Sequence, residues 1–148
     1  MVLKPDQFTE QAQEVLRHSQ EVVHQYQHSQ WDVEHIVLAL LELENGLPEA
    51  ICLELNVSVE AVKSRIKVSL ESAPKIVQDT SQIYTTPRVQ RLLENASGES
   101  QRMRDEFIGV EHLFIGAVME PQGDVAQVFK EFQIDQERIY ESLLKIRD

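Results

Sequence analysis

The chain is poor in the residues that punctuate or staple a fold: five glycines, five prolines and one cysteine among 148 residues. One cysteine cannot close an internal disulfide, which fits a reducing compartment and leaves the core to hold the structure. Cys52, within Ile51-Cys52-Leu53, is expected to be a small buried hydrophobe. Positive charge is also scarce. Fourteen Lys and Arg stand against 25 Asp and Glu, a net charge of −11. That balance argues against displacing counterions from nucleic-acid phosphates and against holding an anionic membrane surface. No apolar run approaches the length of a bilayer span, and no charged segment followed by an apolar one opens the chain. A cytosolic protein with neither a nucleic-acid nor a membrane partner is expected.

Several chemical devices are missing as well. There is no G-x-x-x-x-G-K-[ST] loop and no G-x-G-x-x-G turn, which excludes nucleotide binding through either. There is no C-x-x-C and no G-x-S-x-G. Only His24 and His28 have metal-ligand spacing, with His18 further back on the same predicted helix. They leave a metal-dependent helical hydrolase as an alternative. No carboxylate or cysteine stands at a suitable offset, and the second half has Gln101 and Asp105 there, so solvated helix surface is expected. No catalytic residue, cofactor or metal is assigned.

What the chain does contain is itself, twice. Residues 9–71 advanced by 77 positions fall on 86–148 without a gap. Nine of those 63 positions are identical, including Val33-Glu34-His35 on Val110-Glu111-His112, Thr9 on Thr86 and Gly46 on Gly123. Apolar positions coincide further: Trp31 with Ile108, Ile36 with Leu113, Ile51 with Val128, Val62 with Ile139, Ile66 with Leu143. One core plan is used two times, so a polar pair kept in both copies is a candidate site.

With 42% apolar and 26% charged residues the composition is that of a globular domain, and a chain of this length buries roughly 70% of its unfolded surface. β-branched residues do not alternate with polar ones over any long run, so the chain reads as all-α. Ala12, Val15, Leu16, Val22, Val23 and Tyr26 recur at helical spacing and predict a helix capped by Thr9 and ending near 26. A second helix is expected over 33–44, capped by Asp32 and stopped at Asn45-Gly46. A third opens at Pro48, and a fourth is capped by Ser58 and runs to about 71. In the second copy Thr86-Pro87 opens a helix to about 103, followed by helices near 110–119, 124–132 and 136–146, the last capped by Asp135. The expected fold is eight helices in two pseudo-twofold-related four-helix repeats, one domain over 1–148. The repeats are placed at 8–71 and 85–148, with a connector over 72–84. Trp31 and Ile108, just ahead of the second helix of each copy, are expected to close each core or the seam between copies.

Glu34 and Glu111 fall in the first turn of their helices, where the macrodipole favours negative charge by about 0.3–1 kcal/mol. On that ground alone they are structural, with His35 and His112 as core-edge residues bonded to a backbone carbonyl. In functional terms a pseudo-twofold axis would present two equivalent carboxylates, each beside the N-terminus of a helix capped by Thr9 or Thr86. A carboxylate matches a guanidinium through two parallel hydrogen bonds, and a helix N-terminus holds a phosphate. Together they suit cationic or phosphorylated cationic side chains.

The segments Phe8-Thr9-Glu10-x-Ala12 and Glu34-His35-Ile36-x-Leu38-x-Leu40-Leu41 resemble a first Clp repeat. Tyr84-Thr85-Thr86-Pro87-Arg88, Phe107 through Leu113 and Phe132-Gln133-Ile134-Asp135 resemble a second. The double repeat is similar to the N-terminal domain of Clp-type AAA+ unfoldases and disaggregases. The resemblance implies a substrate- or adaptor-docking module that hydrolyses nothing itself and hands proteins to the ATPase modules of its parent chain. It implies unfolded or tagged substrate proteins as partners, phosphoarginine-bearing ones among them, and adaptor proteins. In the protease-unfoldase branch, paired glutamates associated with phosphoarginine match Glu34 and Glu111, with cap threonines matching Thr9 and Thr86. Val33 and Val110 replace the threonine that precedes each glutamate. In the disaggregase branch, functional positions match Thr9, Asp105 and Glu111, while its apolar groove matches the polar Asn95, Glu99 and His112, so the balance leans to the protease-unfoldase type. A fragment of a larger protein is expected, ending where a linker to the first ATPase module would begin. A stand-alone Clp-repeat adaptor is the alternative.

Overall fold

The computed structural model describes residues 3–76 and 82–147. A 3₁₀ turn at Pro5–Gln7 leads into eight α-helices among the described residues: α1 (Glu10–Gln25), α2 (Val33–Leu41), α3 (Leu47–Glu54), α4 (Val59–Ser72), α5 (Pro87–Arg102), α6 (Val110–Met119), α7 (Asp124–Glu131) and α8 (Gln136–Ile146). Each helix of the first set starts 77 residues before its counterpart: Glu10 and Pro87, Val33 and Val110, Leu47 and Asp124, Val59 and Gln136. The fold is all-α and duplicated, as expected.

Side-chain oxygens start five of the eight helices. Thr9 Oγ1 accepts from Ala12 N–H at 3.0 Å, Ser58 Oγ from Ala61 N–H at 3.1 Å and Asp135 Oδ1 from Arg138 N–H at 2.9 Å. Such caps satisfy donors that have no intrahelical partner. The α2 helix ends at Leu41, earlier than expected. The chain turns over the next residues, with Asn45 at φ 57°, before Gly46 caps α3.

Two helices form the centre. From Val33 to Leu41 every residue of α2 except Glu34 is buried, and from Val110 to Ala117 every residue of α6 is. A helix apolar on all sides belongs inside a protein. Fully burying a residue such as Ile36 or Leu113 contributes about 1.5–3 kcal/mol. The α1 and α4 helices cover α2, while α5, α7 and α8 cover α6, and α2 meets α6 directly. Gly116 lets α6 lie close on α5, because a Cβ there would stand 2.6 Å from the Leu92 carbonyl oxygen. Cys52 is buried, as expected.

The copies are strapped together reciprocally. A two-residue strand β1 (Gln30–Trp31) pairs in parallel with β2 (Tyr84–Thr85), and the equivalent bridge joins Phe8 to Ile108. Thr86 N–H donates to the Trp31 carbonyl at 3.2 Å, and Thr9 N–H donates to the Ile108 carbonyl at 2.9 Å. Trp31 and Ile108 therefore lie buried in the seam, the Trp31 indole N–H donating to Ser19 Oγ at 2.9 Å. Of the expected connector, Ser72 closes α4, Tyr84 belongs to β2, and 77–81 lie outside the described residues. No helix among the described residues is long and apolar enough to cross a membrane.

Candidate functional site

The first turn of each central helix is closed by a histidine. Asp32 N–H donates to His35 Nδ1 at 2.9 Å, and Gly109 N–H donates to His112 Nδ1 at 2.8 Å. The back-bond is that of a capping box, with imidazole in the place of the usual Glu or Gln at the third helical position; Asp32 adds an N-cap side chain, which Gly109 lacks. His35 Nδ1 also lies 3.3 Å from the Asp32 carbonyl, in line with the expected backbone contact, whereas the His112 ring bonds the Gly109 amide and the Asp105 carboxylate. With Nδ1 accepting, the ring proton sits on Nε2. His112 Nε2–H then donates to Asp105 Oδ2 at 2.7 Å. His35 Nε2–H donates to His28 Nδ1 at 2.9 Å, and His28 Nε2–H to the Leu70 carbonyl at 3.1 Å. His28 and Asp105 are 77 apart, so the two copies use different chemistry for one position.

His28 is therefore not solvated helix surface. The α1 helix ends at Gln25, Gln27 turns through φ 58°, and His28 is buried against His35. His24 remains on α1 and exposed, so the two rings do not share a metal-binding face. Among the described residues no three His, Cys, Asp or Glu gather in a metal-binding arrangement.

Around Glu34 the two copies meet at a cleft of about 530 Å³, lined by His28, Asp32, Glu34, Ser69, Arg88 and Asp124 among others. Asp32 is the anchor. Its carboxylate accepts from Val33 N–H at 2.8 Å, from the Thr86 hydroxyl at 3.1 Å and from Arg88 Nε at 3.0 Å, with Arg88 Nη2 closing a second bond. Burial alone would raise its pKa. The Arg88 bonds, the Val33 amide and the Thr86 hydroxyl outweigh burial and hold it below the usual aspartate range. Asp124 accepts from Ser69 Oγ at 2.6 Å. Glu34, by contrast, forms no direct ion pair among the described residues. Burial, then the neighbouring Asp32 charge, push its pKa up to about 7. A largely buried carboxylate shifted this far at the wall of a cleft is a candidate for function.

The Glu111 end is built differently. Gly109 stands where the first copy has Asp32, and a Cβ on it would lie 2.1 Å from Glu111 Oε1. The carboxylate folds back into the space of the missing side chain. Arg147 Nη2 donates to Glu111 Oε2 at 2.5 Å and to Asp105 Oδ2 at 3.3 Å. The two glutamates are not equivalent carboxylates. The five expected site residues fall into two groups: Thr86 joins Asp32 beside Glu34, while Asp105 joins Glu111 through Arg147. Thr9 caps α1 and is tied to Ile108, ahead of Gly109. Arg88 and Arg147, which order both ends, carry no repeat signal; they align with Gln11 and Leu70. Glu99 is buried against Arg102, with Nη2 at 2.8 Å, and accepts from the Tyr140 hydroxyl.

Two four-helix copies, strapped reciprocally across a seam where Asp32, Glu34 and Asp124 line a cleft, define a duplicated all-α domain. The chain belongs to the Clp repeat (R) N-terminal domain family, whose model matches residues 7–132. It is 30% identical over 145 residues to the chaperone protein ClpB of Bacillus anthracis, covering 96% of this chain and 17% of that protein. Its fold matches the Hsp104 N-terminal domain from Candida albicans with a TM-score of 0.82 at 16% identity, covering 95% of this chain and 91% of that one. It also matches a ClpV N-domain solved in complex with a VipB peptide, with a TM-score of 0.69 at 14% identity, covering 93% and 89%.

Proposed function

We propose that this chain is the substrate- and adaptor-docking module of a Clp-type AAA+ unfoldase, serving cytosolic protein quality control and catalysing nothing itself. Its partners are unfolded or tagged proteins and adaptors that present cationic side chains. The observation that carries this reading is the Glu34 carboxylate: open to a cleft, flanked by Asp32 and Asp124, and in no direct ion pair among the described residues. Burial and the Asp32 charge penalise the ionised Glu34, Arg88 offsets part of that penalty, and an incoming guanidinium or ammonium would relieve the remainder. Family membership supports the reading, as does the VipB peptide held by a ClpV N-domain of the same fold. The parent ATPase is part of the proposal, because the chain spans 17% of the ClpB relative.

The test is calorimetric titration of the chain, and of Glu34→Gln, with an unstructured arginine-containing peptide. The proposal expects binding that the variant weakens about tenfold, the loss of one charge-assisted hydrogen-bond pair. A peptide that fails to bind, or binds both proteins equally, would overturn it. ATP turnover by the purified chain would overturn the non-catalytic assignment.

A further inference from the structure

The second glutamate already holds the kind of group that the first lacks. Arg147 lays its guanidinium across Glu111 and Asp105, with Nη2 at 2.5 and 3.3 Å. No such residue exists at the equivalent place in the first copy, where Leu70 replaces Arg147 and His28 replaces Asp105. Leu70 is buried in the core and contributes only its carbonyl, to His28. With Gly109 in place of Asp32, these changes of residue type separate an open carboxylate from an occupied one.

We propose that Arg147 is a ligand in cis: it fills the Glu111–Asp105 site with the chain's own guanidinium, so the domain offers one open cation site, at Glu34, and a second that opens only when Arg147 withdraws. This rests on the reading of Glu34 as a docking carboxylate. It assigns the ligand class of the second site as guanidinium, because that is the group the site holds.

The arrangement suits a releasable plug. Arg147 follows Ile146, the last residue of α8, and its backbone N–H donates to the Leu143 carbonyl at 2.8 Å. Swinging its side chain away therefore disturbs one helix terminus and no core residue, and helix ends open at small cost. Tethering gives Arg147 an effective concentration of about millimolar or above at Glu111. A single arginine side chain from another molecule, binding in the millimolar range, cannot displace it. A segment that makes further contacts, or any event that draws the end of α8 away, can. The Asp105 bond to His112 stays intact on release, so the acidic site keeps its shape.

The experiment is amide-detected NMR titration of the chain and of Arg147→Gln with acetyl-arginine amide. In the unsubstituted chain, shifts are expected at Asp32, Glu34 and Asp124 alone. In Arg147→Gln a second set is expected at Val110, Glu111 and His112, saturating at about tenfold lower ligand than any response there in the unsubstituted chain. Arg147→Ala serves as a second variant, with circular dichroism to show that each is folded. Equal responses at Glu111 with and without Arg147, or none in either folded variant, would overturn the proposal while leaving Glu34 in place. Shifts at Glu111 in Arg147→Gln with none at Glu34 would support the plug and remove the Glu34 reading.

Discussion

Asp32 of the first copy and Arg88 of the second grip each other through two parallel hydrogen bonds, and the same carboxylate caps α2 and accepts the hydroxyl that starts α5. One buried side chain therefore joins a helix start, a second helix start and the seam. Asp32→Ala should cost about 2–3 kcal/mol, one cap plus a charged hydrogen-bond partner left unpaired. For a domain of this size that lowers Tm by about 4–12 °C. Arg88→Ala should cost at least as much, because it leaves the Asp32 carboxylate, only 11% exposed, without its cationic partner. A double-mutant cycle in urea should return a coupling near 1 kcal/mol or more; additive losses would mean that the pair does not hold the seam.

Glu34 and His35 are adjacent and pull stability in opposite directions with pH. Burial, then His28, lower the His35 pKa from 6.5 to about 4. The unfolded chain then binds the extra proton, so this term gains stability as pH rises from about 4 to 6.5. Glu34 is raised from 4.5 to about 7, the folded chain binds the extra proton, and its term loses stability between those values. The two terms oppose each other, and His28, whose pKa burial also lowers, adds to the rising one, so the unsubstituted chain should gain stability only weakly across pH 5–6.5. Glu34→Gln removes one term. Urea melts of that variant should show stability rising by about 2 kcal/mol over the same window, and exceeding the unsubstituted chain by about 2–3 kcal/mol at pH 8. Parallel curves for the two proteins would contradict this.

An unmodified guanidinium should bind at Glu34 at least as well as a phosphorylated one. Several donors beside Glu34 are already engaged: Arg88 Nε and Nη2 and the Val33 amide bond Asp32, and the Glu34 amide bonds its own carboxylate. Competition between acetyl-arginine amide and phosphoarginine, followed at the Glu34 amide, measures the order directly. A tenfold preference for phosphoarginine would show that the chain rearranges to supply new donors.

Gly116→Ala should destabilise. Alanine favours a helix over glycine by up to about 1 kcal/mol, but the new methyl would meet the Leu92 carbonyl at 2.6 Å, and forcing α5 from α6 costs about 1–3 kcal/mol. A net loss is expected in thermal melts, and a raised Tm would show that the two helices slide apart freely.

The fold was legible because the 77-residue repeat and the caps Thr9, Asp32, Ser58, Thr86 and Asp135 are local signals, and the structure uses each of them as read. The straps were not legible. Two residues of β-strand are too short to show a period, and their partners lie 54 residues away. Asp32-x-x-His35 and Gly109-x-x-His112 did carry a capping-box spacing, but imidazole is an unusual partner in that role. The site was half legible. Repetition picked out Glu34 and Glu111 and could not reveal that Gly109, Arg88 and Arg147 make them unlike, since those residues break the repeat. His28 was misplaced because helical spacing continues in sequence past Gln25, where the backbone turns away.

Carbon-detected NMR of the Glu34 side-chain carboxyl, titrated from pH 4 to 9 with and without saturating acetyl-arginine amide, tests the central claim most directly. Its midpoint should lie near 7 in the free chain and fall by about one unit or more when the cation binds, because the bound charge favours the ionised form. A midpoint near the ordinary glutamate value, or one that the ligand leaves unmoved, would contradict Glu34 as the open docking carboxylate.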